Sequence, residues 1–558
     1  MENQRFFLYA SLIVVLYLLW SSWQQQKVLP SINTATPKVQ QNYEAPIQTL
    51  TTKQDIPNAI DANDLQPETA KEAIVVNTQK NEYITVKTDV FNLMINTRGG
   101  DIHRVELSDY LEELDNPNQP FVLLDDINKT YIAQSGLVHD PLANQEVSHR
   151  APNHYEVFTA KKNNYVLGDG DNELIVPLTW QNNEGIQVTK RLIFKRGEYL
   201  IDIDYEVSNQ SDADWLGRQY RQLRHSYIET EKSLLRLPTY TGAAYYDGKY
   251  EKLSFGDMVD KPLKAQITGG WAAMLQHYFF SAWLAEEFEK NDYYSNIVNK
   301  AVGSDYIIGM RSEPTRIERG ETYTFQNRLY LGPKLQKYIE QIQPGLELTT
   351  DYGIFTPLCK PLFWILDFIN KGLHNWGLAI ILVTLLIKLV FYRLSAASYK
   401  SMARMRKVQP KMMSLRERYA DDKQKLNQAM WDLYKKEQIN PLGGCLPILI
   451  QMPVFLSLYW VLIESVEMRH APFMLWIDDL SSKDPLFILP LLMGISMWVQ
   501  FKLNPKPTDP MQEKVFMLMP VFMMAFMAFF PAGLVLYWFV NNLLSIGQQW
   551  YITKRYAE

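Results

Sequence analysis

Hydrophobic and polar positions divide this chain into two unlike halves. Between residues 72 and 350 the apolar positions recur at every second residue: in Tyr199 to Val207, Ile201, Ile203, Tyr205 and Val207 alternate with Asp202, Asp204 and Glu206. That period marks a strand with one buried face. Thr322 to Leu331 repeats it through Phe325, Leu329 and Leu331, and turns such as Arg98-Gly99-Gly100 and Lys195-Arg196-Gly197 punctuate the runs. The pattern predicts a large antiparallel β-sandwich over 72–350. Lys334 to Ile342 reads as a short helix leading out of it.

Beyond the sandwich the period changes. Ile354 to Ile369 carries Lys360 and Asp367 among Phe355, Leu358, Leu362, Phe363, Ile365, Leu366 and Phe368, so 351–371 is expected to be an amphipathic helix in the interface plane of a membrane. Five apolar runs follow: Trp376 to Tyr392, Leu442 to Ile463, Leu486 to Lys502, Val515 to Phe530 and Leu534 to Ile552. Runs of this length match a hydrocarbon core of roughly 30 Å. Only Pro531-Ala532-Gly533 separates the last two, which predicts a tight helical hairpin. At the other end, Phe6 to Trp23 is a further apolar run behind Arg5 without an A-x-A-like site, read as an uncleaved signal anchor over 1–23, with a cleaved signal peptide as the alternative. Gln, Asn, Thr and Pro dominate 24–71, a composition expected of a flexible linker. The expected fold class is therefore a multi-span α-helical membrane protein of six transmembrane helices, with a five-helix core over 372–558 and a large external sandwich.

Charge orients these elements. The segment 393–440 holds twelve Lys/Arg against five Asp/Glu, and short basic loops between spans stay in the cytoplasm. Residues 24–350 hold 33 basic and 45 acidic residues, a net of −12, in keeping with the opposite side. Both termini are then cytoplasmic. The loop Glu464 to Pro485, with Glu464, Glu467, Asp478, Asp479 and Asp484 against Arg469 and Lys483, reads as external. The only cysteines, Cys359 and Cys445, lie beside or inside the apolar runs, so no disulfide framework supports the external domain.

Within 393–440 two apolar stripes emerge, Met402, Met405, Val408, Met412, Leu415 and Tyr419, then Leu426, Met430 and Leu433. They predict two antiparallel helices buried against each other with the cations outward. Such a surface suits anionic lipid, ribosomal RNA or an acidic partner, and charge alone does not choose among them.

Enzymatic chemistry finds no foothold. The six histidines of the external domain (His103, His139, His149, His154, His225, His277) have no metal-ligand spacing, and no GxxxxGK[ST] phosphate loop occurs. The apolar runs contain no Asp or Glu near their centres and, apart from Lys502 at the end of one of them, one cation, Lys388. Lys388 either snorkels to the cytoplasmic headgroups or lines a water-filled recess with Thr384 one turn deeper on the same face; the residues leave both open. Sixteen of 21 methionines follow residue 400, suiting either membrane packing or an adaptable binding surface.

Several segments together resemble the YidC/Oxa/Alb membrane protein insertase family, Gram-negative YidC type. They are Ser401-Met402-Ala403-Arg404-Met405-Arg406 with Gln409-Pro410-Lys411, and Asn440-Pro441-Leu442-Gly443-Gly444-Cys445-Leu446-Pro447 running into Gln451-Met452-Pro453. Thr508-Asp509-Pro510-Met511-Gln512, Gly533-Leu534-Val535-Leu536-Tyr537-Trp538, Thr97-Arg98-Gly99-Gly100 and Gly269-Gly270-Trp271 through Tyr278 complete the match. The resemblance implies a non-enzymatic, cofactor-free insertase and chaperone of the bacterial inner membrane. A hydrophilic groove of Lys388, Thr384, Gln451, Tyr537 and Trp538 would receive the client, beside a hydrophobic slide of Leu456, Tyr459, Met517, Met523, Met524 and Met527. Arg404, Arg406, Lys407 and Lys411 would meet the ribosome or targeting factors. Nascent membrane proteins, the Sec translocon and membrane lipids are the implied partners, and the external domain would be a periplasmic sandwich similar to galactose mutarotase in fold alone. The family usually places Arg where Lys388 stands; Lys keeps the charge and loses the bidentate fork. Two other classes compete: a small-solute transporter, which would show repeated halves, and an anchored periplasmic binding protein, which leaves the basic hairpin unexplained.

Overall fold

A computed structural model describes residues 55–57, 82–127, 129–139, 151–227, 239–299, 303–419, 422–437, 446–504 and 510–557. The anchor expected over 1–23 lies outside the described residues, as does the linker except for 55–57.

Alternation produces the sandwich. Along Leu200–Asn209 every second side chain is buried, including Ile201, Ile203, Tyr205 and Val207, while the intervening carboxylates face out. This strand pairs antiparallel with Ile186–Lys195 on one side and Arg328–Pro333 on the other. The ten-stranded sheet runs Tyr250–Leu253, Gly242–Tyr246, Trp271–Leu275, Phe279–Leu284, Arg328–Pro333, Leu200–Asn209, Ile186–Lys195, Glu173–Gln181 and Thr159–Ala160, with Thr322–Phe325 added beside Leu200–Asn209. Facing it, an eleven-stranded sheet has Ser304–Ser312, Trp215–Tyr227 and Tyr131–His139 at its centre. Tyr83–Lys87 with Asn164–Val166 is the parallel exception in that sheet. Trp215, Trp271, Trp283 and Tyr205 fill the interior between the sheets.

Thr322 to Leu331 is not one continuous strand. It divides into Thr322–Phe325 and Arg328–Pro333 because Asn327 turns inward. There its amide donates to Ile203 O (3.0 Å) and its oxygen accepts from Arg221 (2.7 Å).

The helices are numbered in chain order. Phe255–Asp260 (α1) and Gln336–Ile342 (α2) belong to the sandwich and its exit. Thr356–Leu373 (α3) buries Cys359, Leu362, Phe363 and Leu366 against the helical half and leaves Leu358, Trp364 and Phe368 exposed. Asn375 caps Trp376–Val390 (α4) by accepting from Leu378 N at 2.9 Å. Tyr392–Arg418 (α5) and Lys423–Lys436 (α6) form the basic hairpin. Leu446–Glu464 (α7), Ile488–Leu503 (α8), Pro510–Met527 (α9) and Ala532–Ala557 (α10) complete the chain. Ile380, Val383, Leu458, Leu462, Met493, Leu534 and Val535 make their common core.

Among the described residues no single helix is long and apolar enough to cross a membrane; α4 and α5 pass that test together, bent by 68°. Fifteen residues of α4 rise only about 22 Å, short of a hydrocarbon core of roughly 30 Å. Beyond the bend the chain is basic.

Sandwich and helical half meet through the loop after α7. Arg469 sits beside the stacked rings of Phe121 and Phe279, 5.6 and 5.5 Å from their centres, and donates to the carbonyls of Leu111 (2.6 Å) and Glu112 (3.1 Å). His277 Nε2 donates to Ile463 O at 2.9 Å, and the Tyr352 hydroxyl bonds Ser465 (3.2 Å) and Gln336 (2.7 Å). Lys337 pairs with Asp367 of α3. Desolvation, with repulsion from Lys334, holds the His277 imidazole down to about 4. A depressed histidine stays neutral in the fold but binds a proton once unfolded, so its contribution is present above about 6.5 and is lost as pH falls toward 4. Thermal unfolding of the protein in nanodiscs is therefore expected to shift down between pH 7 and pH 5, and His277→Gln to shrink that shift. The difference between the two proteins cancels contributions they share, such as that of His225, which burial also lowers to about 4. An unchanged shift in the variant would remove His277 from the junction's pH response.

Candidate functional site

Lys388 sits in the last turn of α4, only 6% exposed, and its ammonium donates to the Ser545 hydroxyl of α10 at 2.7 Å. No carboxylate pairs with it among the described residues. The side chain runs into the helical half rather than out along its surface. Thr384, one turn earlier and 1% exposed, spends its hydroxyl on Ile380 O at 2.6 Å, so it lies beside Lys388 without bonding it.

The partner comes from a polar stripe on α10. Asn541, Asn542, Ser545 and Gln549 recur at helical spacing and so share a face. Ser545 donates to Asn541 O (2.6 Å), and Asn541 Nδ2 reaches Gln451 Oε1 of α7 at 3.4 Å. Asn542 donates to Ser496 of α8 (3.1 Å), while Gln549 donates to Leu503 O (3.2 Å) and Asn504 (2.9 Å). Ser395, Ser398 and Tyr399 of α5 are buried as well. Four helices thus direct amides and hydroxyls toward one seam. A charge taken from water costs several kcal/mol after relaxation, and a single hydroxyl returns only part of it. The seam is suited to holding water or a polar guest.

The other expected groove residues fall elsewhere. Tyr537 is 2% exposed in the apolar core, its ring 6.2 Å from Phe455, and Trp538 meets the same Phe455 edge-on at 4.6 Å. Nor do the slide residues form one surface. Met527 is buried, Leu456, Tyr459, Met523 and Met524 are half-buried, and Met517 is 60% exposed. Alongside Met517, α9 exposes Val515, Leu518, Val521, Phe522 and Phe526. Met524 packs on Gly494, where an added Cβ would stand 3.0 Å from it.

On the hairpin, Val408 and Met412 are buried with Met405, Met430, Leu433 and Tyr434 around them. Arg404, Arg406 and Lys407 project outward, and Lys411, also exposed, pairs with Glu437 at 2.8 Å. Sequence reasoning passed over Asn541, Asn542, Ser545, Gln549 and Ser496. The signal was present as Asn541, Ser545 and Gln549 at i, i+4 and i+8 within an apolar run.

Two family models divide the chain, one described as the YidC periplasmic domain over residues 83–365 and one as the 60Kd inner membrane protein over 368–558. The class is thus an inner-membrane protein with a periplasmic sandwich and a C-terminal helical insertase region. The membrane protein insertase YidC of Thioalkalivibrio sulfidiphilus is 51% identical over 556 residues, covering 99% of this chain and 98% of its own. That of Alkalilimnicola ehrlichii is 46% identical over 557 residues, covering 99% and 96%. The chain belongs to the YidC family of membrane protein insertases, which are not enzymes. A crystal structure titled as an active YidC insertase with its first transmembrane domain resolved aligns at a TM-score of 0.39 and 17% identity, covering 85% of this chain and 93% of that one.

A buried cation with one neutral partner stabilises nothing. Lys388→Met is accordingly expected to leave the thermal midpoint in nanodiscs unchanged or raised, as replacements of buried charges by apolar side chains of similar volume often do. A fall of several degrees would show Lys388 to be a structural tie.

Proposed function

We propose that this insertase receives weakly polar nascent segments in a hydrophilic groove around Lys388 and releases them sideways into lipid. The observation that carries this reading is the ammonium of Lys388, buried among amides and hydroxyls with Ser545 as its hydrogen-bond partner. A hydrated seam shortens the apolar path a translocated tail must cross, and the cation attracts acidic residues in that tail. Exposed apolar side chains of α9 supply the adjoining greasy surface, with Tyr459 and Leu456 of α7 at its edge.

The topology that fits is six spans with both termini in the cytoplasm and the sandwich in the periplasm. It is supported by the excess of twelve Lys/Arg over five acids in the hairpin segment and by the packing of the acidic loop after α7 against the sandwich. A span as short as α4 is tolerated where the bilayer thins locally. The exposed cations of α5 serve as the recruitment surface for ribosomes or targeting factors, and the Sec translocon is the partner for longer clients.

Insertion of a matched pair of clients, one with an acidic translocated tail and one neutralised, separates the charge from the rest. Lys388→Arg should retain both; Lys388→Ala should reduce the acidic client by about fivefold, equivalent to about 1 kcal/mol, and spare the other. Equal insertion of both by Lys388→Ala would end the charged-groove mechanism and leave bilayer thinning and the apolar surface.

Reversal of Arg404, Arg406 and Lys407 to Glu should weaken co-sedimentation with translating ribosomes by on the order of tenfold at physiological salt. Folding should persist, since all three are exposed. Undiminished ribosome binding by a folded variant would overturn the recruitment role.

A further inference from the structure

Asp55 lies in the stretch read as linker, 28 residues before Tyr83, yet it is only 5% exposed. Its carboxylate is met from several sides. The Tyr155 hydroxyl donates to it, 2.6 and 2.7 Å from its two oxygens; Arg224 Nη1 stands at 2.9 Å and His154 Nε2 at 3.4 Å. Each of these groups is itself positioned. Arg224 is braced by the buried Asp305 at 2.7 Å, His154 Nδ1 by the Tyr220 hydroxyl at 2.5 Å, and the Tyr155 ring lies under the Arg98 guanidinium at 5.1 Å. The main chain is read as well: Gln222 Nε2 donates to Asp55 O at 3.2 Å, with Gln222 fixed by Gln134 (3.1 Å) and Tyr294 (2.8 Å).

Burial by itself would raise the Asp55 carboxyl. The hydrogen bonds and charges of His154, Tyr155 and Arg224 override it and bring the group down to about 2. A cavity of about 230 Å³ continues beside Asp55, walled by Tyr83, Arg98, His103 and Gln134, with room for more of a bound chain. Recognition of a side-chain carboxylate together with its own backbone carbonyl selects a residue within a peptide over a free anion.

We propose that the sandwich carries a recognition site for an aspartate within a peptide segment, and that its resident ligand is Asp55 of this chain, which lies there in a turn. Asp55 acts as a latch that ties the segment ahead of the first strand to the sandwich. Because the ligand is covalently linked, its local concentration is in the millimolar range, and a peptide arriving in trans must compete with it.

The test uses the full-length protein in nanodiscs, in a Cys359→Ser, Cys445→Ser background, with spin labels at Pro57→Cys and Lys162→Cys. Electron–electron distance measurement should give one narrow distribution. Asp55→Asn and Tyr155→Phe should each broaden it, because the neutral amide loses its attraction to Arg224 and the phenyl ring loses the donor. A labelled octapeptide of residues 51–58 should bind the Asp55→Asn protein saturably when titrated to about 10 mM, the range the linker itself supplies. The same peptide with Asn at position 55 should not bind. A parent distribution as broad as that of Asp55→Asn, narrow distributions in both variants, or equal binding of the two peptides would each overturn the proposal.

Discussion

The helical half is organised by one buried charge that meets no carboxylate among the described residues. Lys388 enters a bundle whose core is Ile380, Val383, Leu458, Leu462, Met493 and Leu534, and the fold answers with a hydroxyl rather than a carboxylate. A carboxylate at Ser545 would neutralise the ammonium and close the site to any other anion. A hydroxyl satisfies one of three donors and leaves the charge to act at a distance. The amides at Asn541, Asn542 and Gln549 follow from the same constraint, since Asn542 and Gln549 are buried and Asn541 half-buried where another polar group or water must satisfy them. They are tied to α7, α8 and the segment just after α8, so the seam that accommodates the charge also fixes the spacing of the helices around it.

Coupling to the sandwich is made at the opposite end of α7. Arg469 holds two aromatic rings and two backbone carbonyls of the sandwich at once, a geometry that a short, strongly hydrated ammonium would not reproduce. The turn between α9 and α10 docks under the same loop, with Ala532 N donating to Ser482 O at 2.7 Å and Gly533 N to Leu480 O at 2.9 Å. Motions of the α9–α10 hairpin and of the sandwich therefore meet in one loop. That loop mixes acidic and large apolar residues, and its importance comes from position.

How much of this was legible in the sequence depends on the range of the interaction. Leu200–Asn209 and the α5–α6 hairpin were plain because their signals are local periodicities that a few consecutive residues carry. The interruption at Asn327 was not, because its cause, Arg221, lies 106 residues away on a facing strand. Lys388 stood out as the lone cation of its span, whereas its partner Ser545 is 157 residues on and unremarkable by itself. Tyr537 was placed in the groove by family resemblance, and the fold packs it in the apolar core against Phe455. Residue type suggests a polar role for a tyrosine; only the rotation of α10 decides which of its faces the groove receives.

Asp55 extends the same reasoning to a segment whose composition argued for no structure at all. Few large apolar residues means little surface to bury, and ordering even one residue costs about 1 to 2 kcal/mol of backbone entropy. What composition cannot register is a single carboxylate whose partners are 100 and 169 residues away and are already held rigid by the sandwich. Because Tyr155, Arg224 and His154 are fixed before Asp55 arrives, most of the ordering cost has been met by strands that fold for their own reasons, and hydrogen bonds to a charged group, each contributing about 1.5 to 3 kcal/mol, suffice to hold the remainder. Low hydrophobicity argues against a folded core in a stretch of such composition but leaves room for point attachment, and acidic residues are where such attachment is to be sought when the neighbouring domain presents buried arginine.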